Sequence, residues 1–224
     1  MPPFTDIAWD RTAGWRDAVE RMPFIRALAD GSLPADAFGF YLAQDAAYLV
    51  EFSRALSIAS QLAPDRTAQS FFASSAHVAI EVEADLHRTW LAAHPPPSES
   101  AEPSPVTVAY TDHLLATALG GSFPVLVAAV LPCYWLYAHI GEVLLRQAGS
   151  LDGHPYQAWI STYADPAFQE ATATARAIAD GAAAGADQVT TDRMLTAFER
   201  SSMHEYLFFE QGLTRPRWPR ASDF

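Results

Sequence analysis

Apolar positions along this chain recur with a period near 3.6 residues, in blocks long enough to be helices. Alternating β-branched runs bounded by Asn-Gly or Asp-Gly turns are nearly absent, so strands are not expected. The first block, Ile7–Asp30, predicts one helix with Trp15, Ala18, Val19, Met22, Ile25 and Leu28 near one face, stopped by Gly31-Ser32. Pro34-Ala35-Asp36 opens a second helix to about Leu62, with Phe38, Tyr41, Leu42 and Leu49 inward. Ala63-Pro64-Asp65 breaks the chain, and Asp65 suits the N-cap of a third helix to about Ala93. His94–Pro105 holds five prolines and predicts a surface linker. Helices follow over Val106–Leu119, from Ser122 to about Gln147, over Tyr156–Tyr163, Pro166–Ala182 and Gln188–Gly212, before a tail, Leu213–Phe224. No internal repeat is visible. The pattern predicts an all-α bundle of seven or eight helices, one domain over residues 1–224 with its core at about 4–212 and its tail at 213–224.

Composition narrows the function. The 224 residues are half hydrophobic and 12% aromatic, ample for a core and incompatible with whole-chain disorder. Acidic residues outnumber basic ones 26 to 14, for a formal net charge of −12. Every basic residue is Arg, which removes Schiff-base lysines and the P-loop lysine together. The acidic balance argues against a nucleic-acid partner, whose phosphates need clustered positive charge. Phe123–Ala138 is sixteen residues without a charge, short for a membrane span and interrupted by Pro124 and Pro132. It is expected to be a buried core helix, with no membrane partner. Met1–Trp15 has no apolar run of the signal-peptide kind. One cysteine, Cys133, permits neither an intrachain disulfide nor a Cys-rich zinc site and suits a reducing cytoplasm.

Three helices carry candidate chemistry. Cys133 sits in Leu131-Pro-Cys-Tyr-Trp-Leu-Tyr137, in the most apolar helix. A buried, inert thiol is the ordinary reading of such a residue. Pro132 opens the helix locally, however, and Tyr137 at i+4 shares the thiol's face, which points to a lined pocket. Asp45, in Gln44-Asp-Ala-Ala-Tyr48, lies within an apolar-periodic stretch with Tyr48 at i+3; it either faces solvent or pairs with a polar group inside. Glu205, in Ser201-Ser-Met-His-Glu-Tyr-Leu-Phe-Phe209, sits among aromatic residues. It is either a solvated carboxylate or a buried general acid with a raised pKa, and His204 reads as a structural hydrogen-bonder. Tyr110 and Tyr163 add two further polar aromatics.

Together these segments resemble the thiaminase II (TenA) family from about Phe4 to Gln211: Tyr41-Leu-Ala-Gln-Asp45 with Tyr48, Ser75-Ala-His77, Ser104-Pro105 with Tyr110-Thr111, Leu131–Tyr137, Tyr156–Tyr163 and Glu205-Tyr206. The resemblance implies a haem-oxygenase-like bundle, a homotetramer, and no cofactor or metal. It implies a hydrolase of a small-molecule aminopyrimidine or of thiamin, releasing the hydroxymethylpyrimidine that re-enters thiamin synthesis. By position, Cys133 is then the nucleophile that adds to the ring, Glu205 the group that protonates a ring nitrogen, and Asp45 the carboxylate binding the aminopyrimidine edge. Tyr48, Tyr110, Tyr137 and Tyr163 would stack on or hydrogen-bond the substrate.

Two other readings use the same chain. A di-iron oxidase would draw on His77, Glu81 and His87, with Glu83, Asp85 and Glu142, but Tyr163–Ala186 contains no histidine to complete the set. A non-enzymatic regulator of the same fold would have no use for Cys133, Asp45 and Glu205 together, and no basic recognition helix is visible.

Overall fold

Prolines, glycines and one threonine set the helix boundaries. The computed structural model describes residues 2–93 and 102–223, with the backbone alone for 82–89, 91–93 and 222. Ten α-helices run through the described residues: α1 (Phe4–Arg11), α2 (Ala13–Arg21), α3 (Pro23–Asp30), α4 (Ala35–Leu62), α5 (Arg66–Ala93), α6 (Pro105–Leu119), α7 (Phe123–Ala148), α8 (Gln157–Ala164), α9 (Pro166–Ala184) and α10 (Gln188–Thr214). A 3-10 turn, Ala221–Asp223, follows, and the described residues form no strand. The all-α expectation holds.

The count exceeds the expected seven or eight because Ile7–Asp30 is not one helix. α1 ends at Thr12, which leaves helical geometry (φ −99°, ψ 11°) with its hydroxyl donating to the carbonyls of Ala8 and Trp9 at 2.9 and 3.3 Å. Met22 is extended (φ −68°, ψ 151°), as a residue before proline prefers, and Pro23 opens α3. Gly31 closes α3 at φ +76°, in the left-handed region that glycine enters without penalty. Three short pieces can thus wrap a curved core where one rod could not. The Thr5 amide and hydroxyl donate to the Asp180 carboxylate at 2.8 and 3.0 Å, tying α1 to α9. Phe24, Ile25 and Leu28 bury the inner face of α3.

The remaining boundaries follow the sequence closely. Asp65 caps α5 by accepting from the Ala68 amide at 2.9 Å, and Ser104 caps α6 by accepting from that of Thr107 at 3.2 Å. Residues 94–101, most of the expected linker, lie outside the described residues.

The core centres on α7. This helix is long and apolar enough to cross a membrane, yet 83% of its most apolar window is buried within the fold. It is the central core helix, as its apolar run predicts, packed against α10, α9 and α8. One glycine sets the α7–α8 approach. A Cβ on Gly141 would lie 2.6 Å from the Tyr163 carbonyl carbon and 2.8 Å from the Ala164 amide. Only a glycine lets the end of α8 rest on α7 there, which sets Tyr163 over the same helix that carries Cys133.

Candidate active site

A cavity of about 360 Å³ opens between α5 and α9, with α4 and α7 as its floor. Its size suits one small ligand. On α4, Asp45, Leu49 and Phe52 fall at i, i+4 and i+7 and share the inward face. On α7, Cys133 and Tyr137 stand one turn apart, with Tyr134 beside them. Pro132 gives the Ala128 carbonyl no amide, so the helix is interrupted where the thiol emerges. Cys133 is half-buried and reaches the cavity. Phe71, Phe168 and Tyr163 complete aromatic walls, the Tyr137 and Tyr163 rings lying 4.8 Å apart. The mouth is polar: Ser74 and Ser75 on α5 face Glu170 and Thr174 on α9.

A buried layer of phenols and one acid stands against this floor. Glu205 is 1% exposed and accepts a hydrogen bond from the Tyr110 hydroxyl at 2.6 Å. Burial pushes its carboxyl up to about 8; the Tyr110 bond pulls it down, and the nearby Asp45 charge pushes it up again. At neutral pH this side chain holds its proton. Tyr48 is buried against Cys133 and Tyr110, and desolvation first, then the charge of the thiol, keeps its phenol well above the ordinary range. Tyr110 is held up likewise by burial and then by Glu205. The Tyr137 hydroxyl shares a 2.9 Å hydrogen bond with that of Tyr41.

No cation reaches this acid from the histidines alongside. The His204 ring stacks on Tyr110, with centroids 5.1 Å apart and planes within 8°, and on His113 at 5.4 Å. Burial and Arg200 push His204 down; burial, His204 and Arg200 push His113 to about 4. Both are neutral near pH 7. His204 corrects an expectation: its Nδ1 is buried without a hydrogen-bond partner, and the ring contributes by stacking.

Of the seven expected site residues, Cys133, Asp45, Tyr137 and Tyr163 line the cavity. Glu205, Tyr110 and Tyr48 form the buried layer that touches them. Asp45, 4% exposed, and Glu205 both face inward, so the solvent-facing alternatives for the two carboxyls fall. A buried polar cluster anchors α4 at Gln44, the residue before Asp45. The Oε1 of its neighbour Gln44 accepts from the Ser104 amide and the Thr107 hydroxyl, both at 2.8 Å, while Ser104 Oγ donates to Gln211 Oε1 at 2.6 Å. That cluster joins α4, α6 and α10, and sequence reasoning missed it. It also missed the mouth residues. Their signal was the spacing 71-74-75-78 on α5 and 167-170-171-174 on α9, which marks a shared face but not what faces it.

Among the described residues, no three His, Cys, Asp or Glu side chains converge as a metal site. His77 and Glu81 are exposed, and Glu142 pairs with Arg146 at 3.7 Å. The side chains of Glu83, Asp85 and His87 lie outside the described residues.

Comparison with known proteins agrees with this architecture. The model of the TENA/THI-4/PQQC family matches residues 9–215. The chain is 42% identical over 216 residues to the "Thiamine biosynthesis multifunctional protein ThiED" of Corynebacterium efficiens, covering 96% of this chain and 29% of that protein. It therefore spans under a third of that multifunctional relative. It is 32% identical to the "Aminopyrimidine aminohydrolase" of Bacillus subtilis, over 96% of this chain and 92% of the relative. Among solved structures, the TenA homologue protein from P. horikoshii OT3 superimposes with a TM-score of 0.83 at 28% identity, over 95% and 99% of the two chains. A domain with a heme oxygenase-like fold from Shewanella denitrificans shares the fold at a TM-score of 0.74 and 14% identity, over 96% and 94% of the two chains. With a family model matched across nearly its whole length, and a buried acid set beside a half-buried thiol, the chain belongs to the TENA/THI-4/PQQC family.

Proposed function

We propose that this chain is an aminopyrimidine aminohydrolase of the thiaminase II kind. It hydrolyses 4-amino-5-aminomethyl-2-methylpyrimidine to 4-amino-5-hydroxymethyl-2-methylpyrimidine, with thiamin as the second candidate substrate. The observation that carries the reading is Glu205, a carboxyl kept protonated at neutral pH within the layer that abuts Cys133 and Asp45. The 32% identity to an aminopyrimidine aminohydrolase over 92% of that enzyme's length supports it.

The chemistry uses each group once per turnover. The Cys133 thiol gives its proton to solvent and its sulfur adds to a ring carbon while a ring nitrogen takes the Glu205 proton, so the ring loses aromaticity and Glu205 becomes a carboxylate. The electron pair of that neutral adduct expels the substituent from the 5-methylene carbon, leaving an exocyclic methylene. Water adds to that methylene and gives up a proton, the Cys133 sulfur leaves and is reprotonated, the ring nitrogen returns its proton to Glu205, and the ring regains aromaticity as the hydroxymethyl product. Asp45 binds the exocyclic amine, and Tyr137 and Tyr163 flank the flat ring. Tyr110 holds the Glu205 carboxyl in place, and Tyr48 sits against the thiol. The partners are then a small-molecule pyrimidine and other copies of the chain in a homotetramer, in a cytoplasm that keeps the thiol reduced.

The test is release of hydroxymethylpyrimidine by purified protein from the aminomethylpyrimidine and from thiamin in parallel. Release from at least one supports the reading, and the ratio of rates sets the preferred leaving group. Release from neither refutes it.

A further inference from the structure

The cavity mouth carries a charge that the ring chemistry does not use. Glu170 lies one turn from Thr174 and Ala167 on the face of α9 that walls the cavity, opposite Ser74 and Ser75. Its backbone carbonyl accepts from Thr174 Oγ1 at 3.0 Å. The α9 backbone is anchored just before Glu170: Asp165 caps the helix, and Gln169 Nε2 donates to the carbonyls of Ala138 and Tyr163, both at 3.1 Å. Among the described residues, the Glu170 carboxylate enters no ion pair or hydrogen bond. Among the described lining residues the only other acidic side chain is Asp45, at the floor, and none is Arg or His. Beyond Thr174 the cleft continues into a shallower depression bounded by Asp65, again without a basic side chain among the described residues.

We infer that Glu170 determines substrate specificity, favouring pyrimidines whose 5-methylene substituent is a cation and turning away phosphorylated ones. This rests on the aminopyrimidine reading above. A ring seated on Asp45 and Cys133 points its 5-substituent up the cleft toward the mouth, since the floor is closed by the buried phenols and Glu205. An ammonium or a thiazolium there meets an unpaired carboxylate. A phosphate ester meets the same carboxylate with no guanidinium to compensate, in a cleft whose low-dielectric aromatic walls concentrate the field. Glu170 is a determinant of binding, not of the bond-breaking step, because it is an exposed residue of α9, whereas Cys133 is half-buried on α7 beside the layer that holds Glu205.

The experiment is calorimetric titration of the Cys133→Ser protein, which keeps the site and stops turnover, with three pyrimidines differing only at position 5. These are aminomethyl (a cation at neutral pH), hydroxymethyl (neutral) and the hydroxymethyl phosphate ester (an anion). Affinity is expected to fall in that order. Adding Glu170→Gln weakens the aminomethyl compound about threefold to fivefold at low salt, as removal of one half-screened charge allows. It shifts the hydroxymethyl compound less than about twofold and tightens the phosphate ester, and the differences shrink at about 0.5 M salt. Equal effects of Glu170→Gln on all three ligands, or none, overturn the assignment of Glu170 while leaving the pyrimidine reading intact. If none of the three binds, the pyrimidine reading falls and this inference falls with it.

Discussion

Glu205→Gln converts a carboxyl that the fold holds protonated into an amide that never titrates. In the native protein the group titrates at about 8, against an ordinary value of 4.5. The native state therefore keeps a proton that the unfolded chain gives up between those limits. Unfolding releases a proton in that window, so this group makes stability fall as pH rises from about 4.5 to about 8. Below the window it has no effect, and above it the full penalty applies. At about 1.4 kcal/mol per pKa unit, the wild type should lose about 4 kcal/mol between pH 5 and pH 9 through this one residue. The glutamine still accepts the Tyr110 hydrogen bond through its Oε1, so the local geometry survives. Urea unfolding of both proteins at pH 5 and pH 9 isolates the effect, because the other titrations cancel in the difference. The expected result is a variant gaining about 4 kcal/mol relative to wild type on going from pH 5 to pH 9. A relative change below about 1 kcal/mol would refute the buried, protonated acid and the chemistry built on it.

Two further substitutions probe how the acid and the aromatic wall are held. Tyr110→Phe removes the hydrogen bond that pulls Glu205 down, so the alkaline limb of the kcat/KM profile, near pH 8 in the wild type, should move to higher pH; a downward move in the pH–rate profile would reject the role given to Tyr110. Gly141→Ala places a Cβ 2.6 Å from the Tyr163 carbonyl carbon and forces α8 off α7. It should cost about 1–3 kcal/mol despite alanine's better helix propensity, and raise KM by displacing Tyr163, as denaturant titration and steady-state kinetics would report.

The helical class was legible because its signal is local: a 3.6-residue period survives in any helix with one buried face. Pairings within one helix were legible for the same reason, so Cys133 with Tyr137 on one face of α7 could be read from spacing alone. The break at Thr12 could not be, since a threonine inside an apolar-periodic run is compatible with a continuing helix, and threonines with the same back-bonded hydroxyl sit within α6 and α9. Relations between helices were likewise invisible. Only the fold shows that Tyr110 of α6 meets Glu205 of α10, or that Gly141 exists to admit Tyr163. Glu170 looks in sequence like any solvated glutamate on an amphipathic helix; its setting at a cavity mouth depends on where α5 lies. The resemblance to thiaminase II relatives named Glu205 and Cys133 as partners, but the structure adds that one lies in the buried layer and the other on the cavity floor.

The measurement closest to the central claim is turnover of the aminomethylpyrimidine by Cys133→Ser, with binding of the same compound followed in parallel. The account predicts that turnover falls by about a thousandfold or more, because a serine hydroxyl is a poor nucleophile toward the ring, while affinity stays within a few-fold of wild type. Turnover at a comparable rate in the serine variant would contradict it and remove the thiol from the reaction.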